Sequence, residues 1–377
     1  MREKKTFRDY FAEVEDPRIE RTKKHKLEDI FFIAISGVIC GANDWANIEM
    51  FGKAKEDWLR KYLELPNGIP SHDTFGRVFQ QIDPAQFEKG FLGWTRSIHK
   101  ETKGEVIAID GKTIRRSHDK KEGKKAIHMI NAWATANHLL LGQEKTEEKS
   151  NEITAIPELL EVLSLAGCIV TIDAMGCQEE IAKQIVEKEA DYVLAVKNNQ
   201  GALYEDLQEL FTGAEEVTYQ RVPHDYEKQV SKHGRIEIRR CWTISDREYI
   251  EYIRRHHRWS NLQTIALVES ERIIDGKSSI ERRYYISSLE NDAKTILHAV
   301  RAHWQVENSV HWVLDVCFRE DDSRIRKGHG AENFAILRAI ALNLIKQEKT
   351  VKRSVQGKRL LAGWRNDYLA KIILGSQ

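Results

Sequence analysis

The chain has 377 residues, of which 41% are hydrophobic and 31% charged, and its net charge is +1. This composition is typical of a globular protein with one or two domains and excludes collagen-like and disordered chains. The longest apolar run, Ile30 to Cys40, is about half of a membrane-spanning helix, and no signal-like segment precedes it, so we expect a cytoplasmic protein without membrane contact. Five cysteines without a CxxC pair indicate neither a disulfide framework nor a zinc site.

Residues 1–98 are predicted to form an all-helical N-terminal domain. Apolar periodicity predicts helices from Leu27 to Ile39 and from Trp45 to Leu65, and Ser71 is expected to open a third helix. Such helices can form a helix-turn-helix DNA reader whose third helix enters the major groove, or only a helical cap on the next domain. Both alternatives stay open on the sequence alone.

Residues 99–211 are predicted to be the first part of an α/β domain. Three strand patterns come first, and helix and strand patterns then alternate from Ile153 onward. This order predicts a mixed sheet with helices on both faces. The predicted strands are Glu105–Asp110, His128–Ala136, Leu139–Gly142, Cys168–Asp173 and Tyr192–Val196.

Residues 212–287 are predicted to be a β-rich insertion. Basic residues recur there at close to period-two spacing, which predicts a basic face on a β ribbon. Residues 288–347 are expected to complete the α/β domain with helices, and 348–377 is predicted to be a basic tail. The predicted strands of the insertion are Gln229–Thr243, Thr264–Glu269 and Arg282–Ser287.

One helix near the C-terminus carries an acid that needs a partner. Residues 300, 304, 307, 311, 314 and 318 share one helical face and read Val, Trp, Glu, His, Leu and Phe. A carboxylate buried in such an apolar stripe is strongly destabilised unless it is paired. We therefore expect Glu307 to lie beside a metal ion, a basic side chain or other carboxylates.

Two aspartates are candidate neighbours of Glu307. Asp110 and Asp173 end buried strands, where open sheets place their ligand sites. If these strands are adjacent, the two carboxylates repel each other unless a cation lies between them. With Glu307 they would form the all-oxygen site that Mg²⁺ or Mn²⁺ prefers, and two such ions catalyse in-line displacement at phosphorus.

Each acid also has a purely structural interpretation. Asp110 and Gly111 form a dipeptide that is common in tight turns. Asp173 could simply cap the helix that follows it. Glu307 could belong to a ladder along its own helix that is hydrogen-bonded or holds zinc or iron. The members of that ladder would be His303, Glu307, His311 and Asp315.

Five short motifs occur in a fixed order along nearly the whole chain. They are Ile109–Lys112 (IDGK), Ile172–Gly176 (IDAMG), Tyr192–Gln200 (YVLAVKNNQ), His233–Glu237 (HGRIE) and His303–Asn308 (HWQVEN), with Glu320–Asp322 and Asn333 behind the last. In these motifs the chain resembles the DDE-type transposases of bacterial insertion sequences, in the group of the H-repeat-associated proteins.

The resemblance implies an RNase H-like catalytic domain whose three acids, Asp110, Asp173 and Glu307, hold two Mg²⁺ or Mn²⁺ ions. It implies DNA cleavage followed by joining to target DNA, with a homodimer bridging two DNA ends. The chain departs from the wider family, which carries tyrosine, arginine and lysine near the glutamate. The residues at those places are Val300, His303 and Leu314.

Basic side chains near the motifs are the expected contacts to the DNA backbone, with Lys327 as a further candidate. Two rival functions are a nuclease of the same fold that cuts without joining, and an inactive copy that only binds DNA. A small-molecule metallohydrolase would leave the basic clusters unexplained. The expected DNA contacts are Lys112, Arg115, Arg116, Lys197, His233, Arg235, His303, Arg324 and Arg326.

Overall fold

A computed structural model describes residues 8–100, 102–118, 123–146, 152–216, 219–220, 222–230 and 235–375. The strands are β1 (Val106–Thr113), β2 (His128–Ala134), β3 (Leu139–Thr146), β4 (Ile169–Ile172), β5 (Asp191–Val196), β6 (His224–Val230), β7 (Ile236–Ile244), β8 (Thr264–Ile274) and β9 (Lys277–Ser287).

The helices of the first half are α1 (Leu27–Ile39), α2 (Trp45–Ala54), α3 (Glu56–Leu59), α4 (His72–Gln81), α5 (Pro84–Ile98), α6 (Glu152–Val162), α7 (Glu179–Glu187) and α8 (Gly201–Glu216). Those of the second half are α9 (Arg247–His256), α10 (Ala293–His303), α11 (Trp312–Val316), α12 (Gly330–Gln347), α13 (Val355–Trp364) and α14 (Asn366–Leu374).

The nine strands of the described residues belong to one mixed sheet, in the order β3-β2-β1-β4-β5-β9-β8-β7-β6. The pairs β1–β4 and β4–β5 are parallel, and the other pairs are antiparallel. Helices α6 to α9 share an apolar core with one face of the sheet, and α10 packs on the other face. The predicted mixed α/β architecture is therefore confirmed.

The β-rich segment differs from the prediction in two ways. The single strand predicted at Gln229–Thr243 is wrong, because β6 and β7 form two antiparallel strands there. Period-two alternation continues through both strands of this antiparallel pair, so the pattern alone did not show that there are two strands. The helix α9 was also missed, although Ile250 and Ile253 give it a buried face. Strand β9 pairs with β5, so the segment extends the central sheet.

The basic tail predicted at 348–377 is largely helical. Helices α13 and α14 bury Tyr368, Leu369 and Ile372 in the same core as α1 and α12. Lys358 and Arg359 are also buried, and Arg359 donates a hydrogen bond to the Val38 carbonyl at 2.8 Å. Although this segment is charged, its helices α13 and α14 therefore pack against the N-terminal helices. The domain limits themselves stay a prediction.

The N-terminal region is helical, as predicted. Ser71 caps α4 by accepting a hydrogen bond from the Thr74 amide at 3.3 Å, and the predicted helix Trp45–Leu65 is interrupted at Lys55. Helix α4 packs on α2 and α12, with Phe75 and Phe79 fully buried. DNA reading by its exposed face stays a prediction. Within the described ranges, none of the helices combines the length and hydrophobicity that spanning a membrane requires.

The buried side chain of Glu88 on α5 is expected to make the stability of the protein depend on pH. Burial raises its pKa to about 8, and the neighbouring Glu144 and Glu332 act in the same direction. Because the native state keeps a proton that the unfolded chain releases, the unfolding free energy should fall by roughly 1.4 kcal/mol per pH unit between about 5 and 8. Glu88→Gln should remove this contribution to the slope in urea unfolding, whereas Glu13→Gln, at an exposed acid, should leave the slope unchanged.

Candidate active site

Strands β1 and β4 bring two acids to the same edge of the sheet. The two strands are parallel neighbours, and Ile109 pairs with Ile172. Asp110 and Asp173 are the next residue on each strand path, so the predicted adjacency of the strands is confirmed. The tight-turn interpretation of Asp110 and Gly111 is wrong, because both residues continue β1 in its pairing with β2.

Glu307 lies in an irregular helical segment between α10 and α11. Residues Glu307–His311 form a π-helical turn. The prediction that Glu307 sits in a buried apolar stripe is wrong, because its side chain is 57% exposed. The buried face is formed instead by Val306, Val310 and Leu314. The wider turn changes the phase of the helix, so a constant helical period predicted the wrong face.

All three acids line one cavity of about 740 Å³. Its floor includes Thr171 and Ile172 of β4, and its other walls come from β5, β9 and α10. Three separate segments of the chain therefore place carboxylates at a single opening. The basic and aromatic side chains that line the same cavity are Lys197, Arg282, Arg283, His303 and Trp304.

The electrostatics at Asp110 are those of a crowded acidic site. Burial raises its pKa to about 6, and the charge of Asp173 acts in the same direction, while His311 opposes it when protonated. At Glu307 the hydrogen bond from His311 lowers the pKa. Asp173 accepts a hydrogen bond from the Met175 amide at 3.0 Å, so it does cap the turn that follows while also lining the cavity.

The predicted ladder along the helix does not form a single site. His311 Nδ1 lies 3.0 Å from Glu307 Oε2, but Asp315 pairs with Lys112 at 2.7 Å. His303 Nδ1 contacts the Thr171 hydroxyl at 3.1 Å. The Glu307–His311 hydrogen bond of the predicted ladder is therefore present, but His303 and Asp315 have partners elsewhere, so the four-membered ladder is wrong.

The donor atoms at this opening suit a hard divalent cation. Ligand atoms of Asp110, Glu307 and His311 all lie within 4.8 Å of one another, and Asp173 adds a carboxylate to the same cavity. Carboxylate oxygens are the ligands that Mg²⁺ and Mn²⁺ prefer, and a cation would offset both the burial and the repulsion from Asp173 that raise the pKa of Asp110. The residues present therefore fit a metal site.

The predicted DNA contacts fall into separate places. Lys197 and His303 line the acidic cavity, and Arg235 lines a smaller neighbouring cavity of about 260 Å³. Arg115 is exposed and pairs with Asp321 at 3.2 Å. His233 lies outside the described residues. A further cleft of about 860 Å³ beside α2 is lined by Arg116, Arg319, Arg324, Arg326 and Lys327.

One of these predictions needs correction. The Lys112 ammonium is buried among the carboxylates of Asp315, Glu320 and Asp321, at 2.7, 3.0 and 3.4 Å, so it is not available as a surface contact. Burial lowers the pKa of His303 to about 4. As a neutral imidazole, His303 would not carry the charge of the family's arginine, and its contact with DNA stays a prediction.

Sequence reasoning missed several residues of the site. Arg282 and Arg283 on β9 line the cavity, and the Arg283 guanidinium lies 4.6 Å from the ring centre of Trp304. The sequence indicated their place in the site only weakly, through their position just before the apolar end of a strand. His311 was considered only as a ladder member, and its contact with Asp110, 3.7 Å away, depends on tertiary structure.

Gly111 is required by a close approach beside Asp110. A Cβ atom there would overlap His128 Nε2 and lie 2.6 Å from Glu152 Oε1, and these two side chains form a buried pair at 2.7 Å. Gly111→Ala should lower the unfolding free energy by about 1–3 kcal/mol in urea unfolding. Gly213→Ala is the control, because its Cβ meets no atom within 4 Å; equal stability of the two variants would contradict the prediction.

Comparisons with known proteins show the family of this chain. A sequence model described as "Transposase DDE domain" matches residues 101–344, and one described as "DDE_Tnp_1-associated" matches residues 8–95. The chain is 45% identical to "Putative transposase YncI" of Escherichia coli O157:H7 over 97% of this chain and 93% of that protein.

Further relatives come from Escherichia coli K12. The chain is 42% identical to "H repeat-associated putative transposase YhhI" over 99% of both chains. It is 49% identical to "Inactive transposase YbfQ" over 57 residues, which are 15% of this chain and 68% of that protein. The match of the DDE-domain model to most of the chain and the near full-length relatives show that the chain belongs to the DDE transposase family.

Proposed function

We propose that this protein cleaves the ends of a bacterial insertion sequence and joins them to target DNA at the site of Asp110, Asp173 and Glu307. The observation that carries the proposal is the convergence of these acids, from three segments of the chain, on one cavity. The relatives named as transposases support the same activity.

The three carboxylates would hold divalent ions, Mg²⁺ or Mn²⁺, with two ions as the expected number. Such ions supply activation of the attacking oxygen and neutralise the charge that develops at phosphorus. The adjacent parallel strands fix Asp110 and Asp173, while Glu307 reaches the site from a helix. Little acid–base chemistry by side chains is then required.

The reaction has two successive displacements at phosphorus. In the first, a water oxygen bonds to phosphorus at the element's end, and the bond from phosphorus to the 3′ oxygen breaks. This releases a 3′-hydroxyl. In the second, that hydroxyl bonds to a phosphorus of target DNA while the target's own bond to its 3′ oxygen breaks, so the number of phosphodiester bonds is conserved in the joining step.

Basic side chains around the acids would hold the DNA backbone. Lys197, Arg282 and Arg283 line the acidic cavity itself, and we assign to them the phosphate contacts that His303 cannot make as a cation. The cleft lined by Arg116, Arg324 and Arg326 is a second candidate contact. Such contacts position DNA without reading its sequence, and their affinity falls steeply with salt.

A homodimer that bridges two DNA ends, in the cytoplasm, completes the proposal. The second candidate is an inactive copy that binds DNA without cutting it. It is favoured by the departures at Val300, His303 and Leu314 and by a relative named as inactive. A nuclease of the same fold is the third candidate.

A strand-transfer assay separates the three candidates. A labelled duplex carrying the DNA end that flanks the gene is incubated with the protein, a target plasmid and Mg²⁺ or Mn²⁺. Joined product supports the transposase, cut product without joining supports the nuclease, and a shifted but intact duplex in both metals supports the inactive copy. Sedimentation of the DNA complex tests the dimer.

A further inference from the structure

A chain of buried polar side chains lies behind the acids. Gln143 on β3 donates its Nε2 proton to Asn131 Oδ1 on β2 at 2.6 Å. Asn131 Nδ2 lies 3.3 Å from His311 Nε2, and His311 Nδ1 lies 3.0 Å from Glu307 Oε2 and 3.7 Å from Asp110 Oδ2. Gln143, Asn131 and His311 are each at most 3% exposed.

The contacts of Asn131 determine which way its amide faces. Its Nδ2 donates to the Met129 carbonyl at 3.3 Å, and its Oδ1 accepts from Gln143. Rotating this amide by half a turn would place Oδ1 against the Met129 carbonyl, a like-to-like contact that remains even if the Gln143 amide, whose Oε1 has no hydrogen-bond partner among the described residues, rotates with it. The amide therefore presents a donor to His311 Nε2.

This donor fixes the tautomer of the imidazole. A neutral histidine has one donor and one acceptor nitrogen, so Nε2 accepts from Asn131 and Nδ1 carries the proton. That proton points toward Glu307 and Asp110. A metal ligand at Nδ1 would instead need its proton on Nε2, facing an acceptor. Asn131 offers a donor at that place, so the geometry opposes direct ligation by His311.

We propose that His311 is a positioning residue, held by Asn131 and Gln143, whose Nδ1 proton orients the Glu307 carboxylate beside Asp110. The inference rests on the proposed function, because it assigns His311 to the same acids. The Glu307 carboxylate needs such a hydrogen bond to keep one orientation, because its side chain is largely exposed and lies on a π-helical turn. His311 itself is anchored in the protein interior.

The tautomer is measured directly by nitrogen NMR of protein labelled with ¹⁵N-histidine, with the His311 signals assigned by their loss in His311→Gln. The expected result is an Nδ1-protonated His311 in the wild type and a mixture of tautomers in Asn131→Leu. An Nε2-protonated or doubly protonated His311 in the wild type would overturn the proposal. This readout is independent of DNA cleavage, so an inactive protein would refute only the proposed function.

Manganese binding, measured through the EPR signal of free Mn²⁺, distinguishes a positioning role of His311 from a packing role. Gln143→Leu and Asn131→Leu should each weaken Mn²⁺ binding by about 10–100-fold, and His311→Gln, which retains an amide donor, should weaken it less than His311→Leu. Unchanged affinity in folded variants of both amides would overturn the proposal. A nitrogen coupling to bound Mn²⁺ that is lost in His311→Gln would also overturn it, because His311 would then be a ligand.

Discussion

Replacing Asp110 by Asn, Asp173 by Asn or Glu307 by Gln is expected to reduce DNA cleavage by on the order of a thousandfold or more, while DNA affinity stays within a few-fold. Each change removes a carboxylate that lines the common cavity and keeps the size of the side chain. The loss should therefore fall on the chemical step, because the backbone contacts that supply affinity lie on other residues.

The measurement pairs gel-resolved cleavage of a labelled duplex with fluorescence anisotropy of the uncut duplex at the same ionic strength. Glu290→Gln is the matched control, because Glu290 is an exposed acid on the loop after β9. It should leave both quantities unchanged. Wild-type cleavage in any one of the three acid variants would remove that residue from the site.

Lys112→Met should produce the largest loss of stability. The Lys112 side chain is 8% exposed, and its ammonium pairs with Glu320, which is 3% exposed, and with Asp315 and Asp321. Removing this charge leaves the buried Glu320 with only Arg338 among the described residues, 3.6 Å away, and takes from Asp315 its partner, which costs about 3–5 kcal/mol. The cluster also ties β1, which carries Asp110, to the segment after Glu307, so cleavage should fall as well.

Urea unfolding at pH 7 measures the effect, with Arg115→Met as the control. Arg115 pairs with the same Asp321 but is 81% exposed, so its loss should change the unfolding free energy by less than about 1 kcal/mol. Burial acts to lower the pKa of Lys112, but Glu320 and the other acids raise it. The stabilisation should therefore persist below about pH 10.5 and be lost only as the pH rises through the higher pKa of the folded state. Equal effects of the two substitutions would contradict a buried cluster.

The strands around Asp110 and Asp173 were predictable because each is a short β-branched run whose residues are buried in the sheet. Alternating helix and strand patterns require parallel neighbours, and these bring the two carboxylates together. The alternative of a tight turn at Gly111 stayed open on the sequence, because the side chains that exclude a Cβ there, His128 and Glu152, come from distant parts of the chain.

The surroundings of Glu307 were less predictable. A constant helical period placed this residue in the core, whereas the π-helical turn moves it to the cavity and leaves Val306 and Val310 buried. Such a turn has no simple signal in the residue pattern. The contact of His311 with Asn131 spans 180 positions, and Lys112 meets Glu320 across 208. Neither partner can be identified from local spacing.

The C-terminal helices show a related limit. Lysine and arginine suggested an exposed basic tail, yet Lys358 donates to the Ile345 carbonyl at 3.1 Å and Arg359 lies over the ring of Phe318. Backbone carbonyls and aromatic rings thus stabilise these buried cations, whose role is structural. Charge in a sequence does not by itself distinguish such residues from solvated ones.

The most direct test of the metal-dependent site replaces each acid in turn by cysteine and compares cleavage in Mg²⁺ and Mn²⁺. Thiolate is a poor ligand for Mg²⁺ and a better one for Mn²⁺. If Asp110, Asp173 and Glu307 hold the ions, each variant should lose cleavage in Mg²⁺ and recover part of it in Mn²⁺. Cleavage at the wild-type rate in Mg²⁺ by all three variants would contradict a catalytic metal site at these carboxylates.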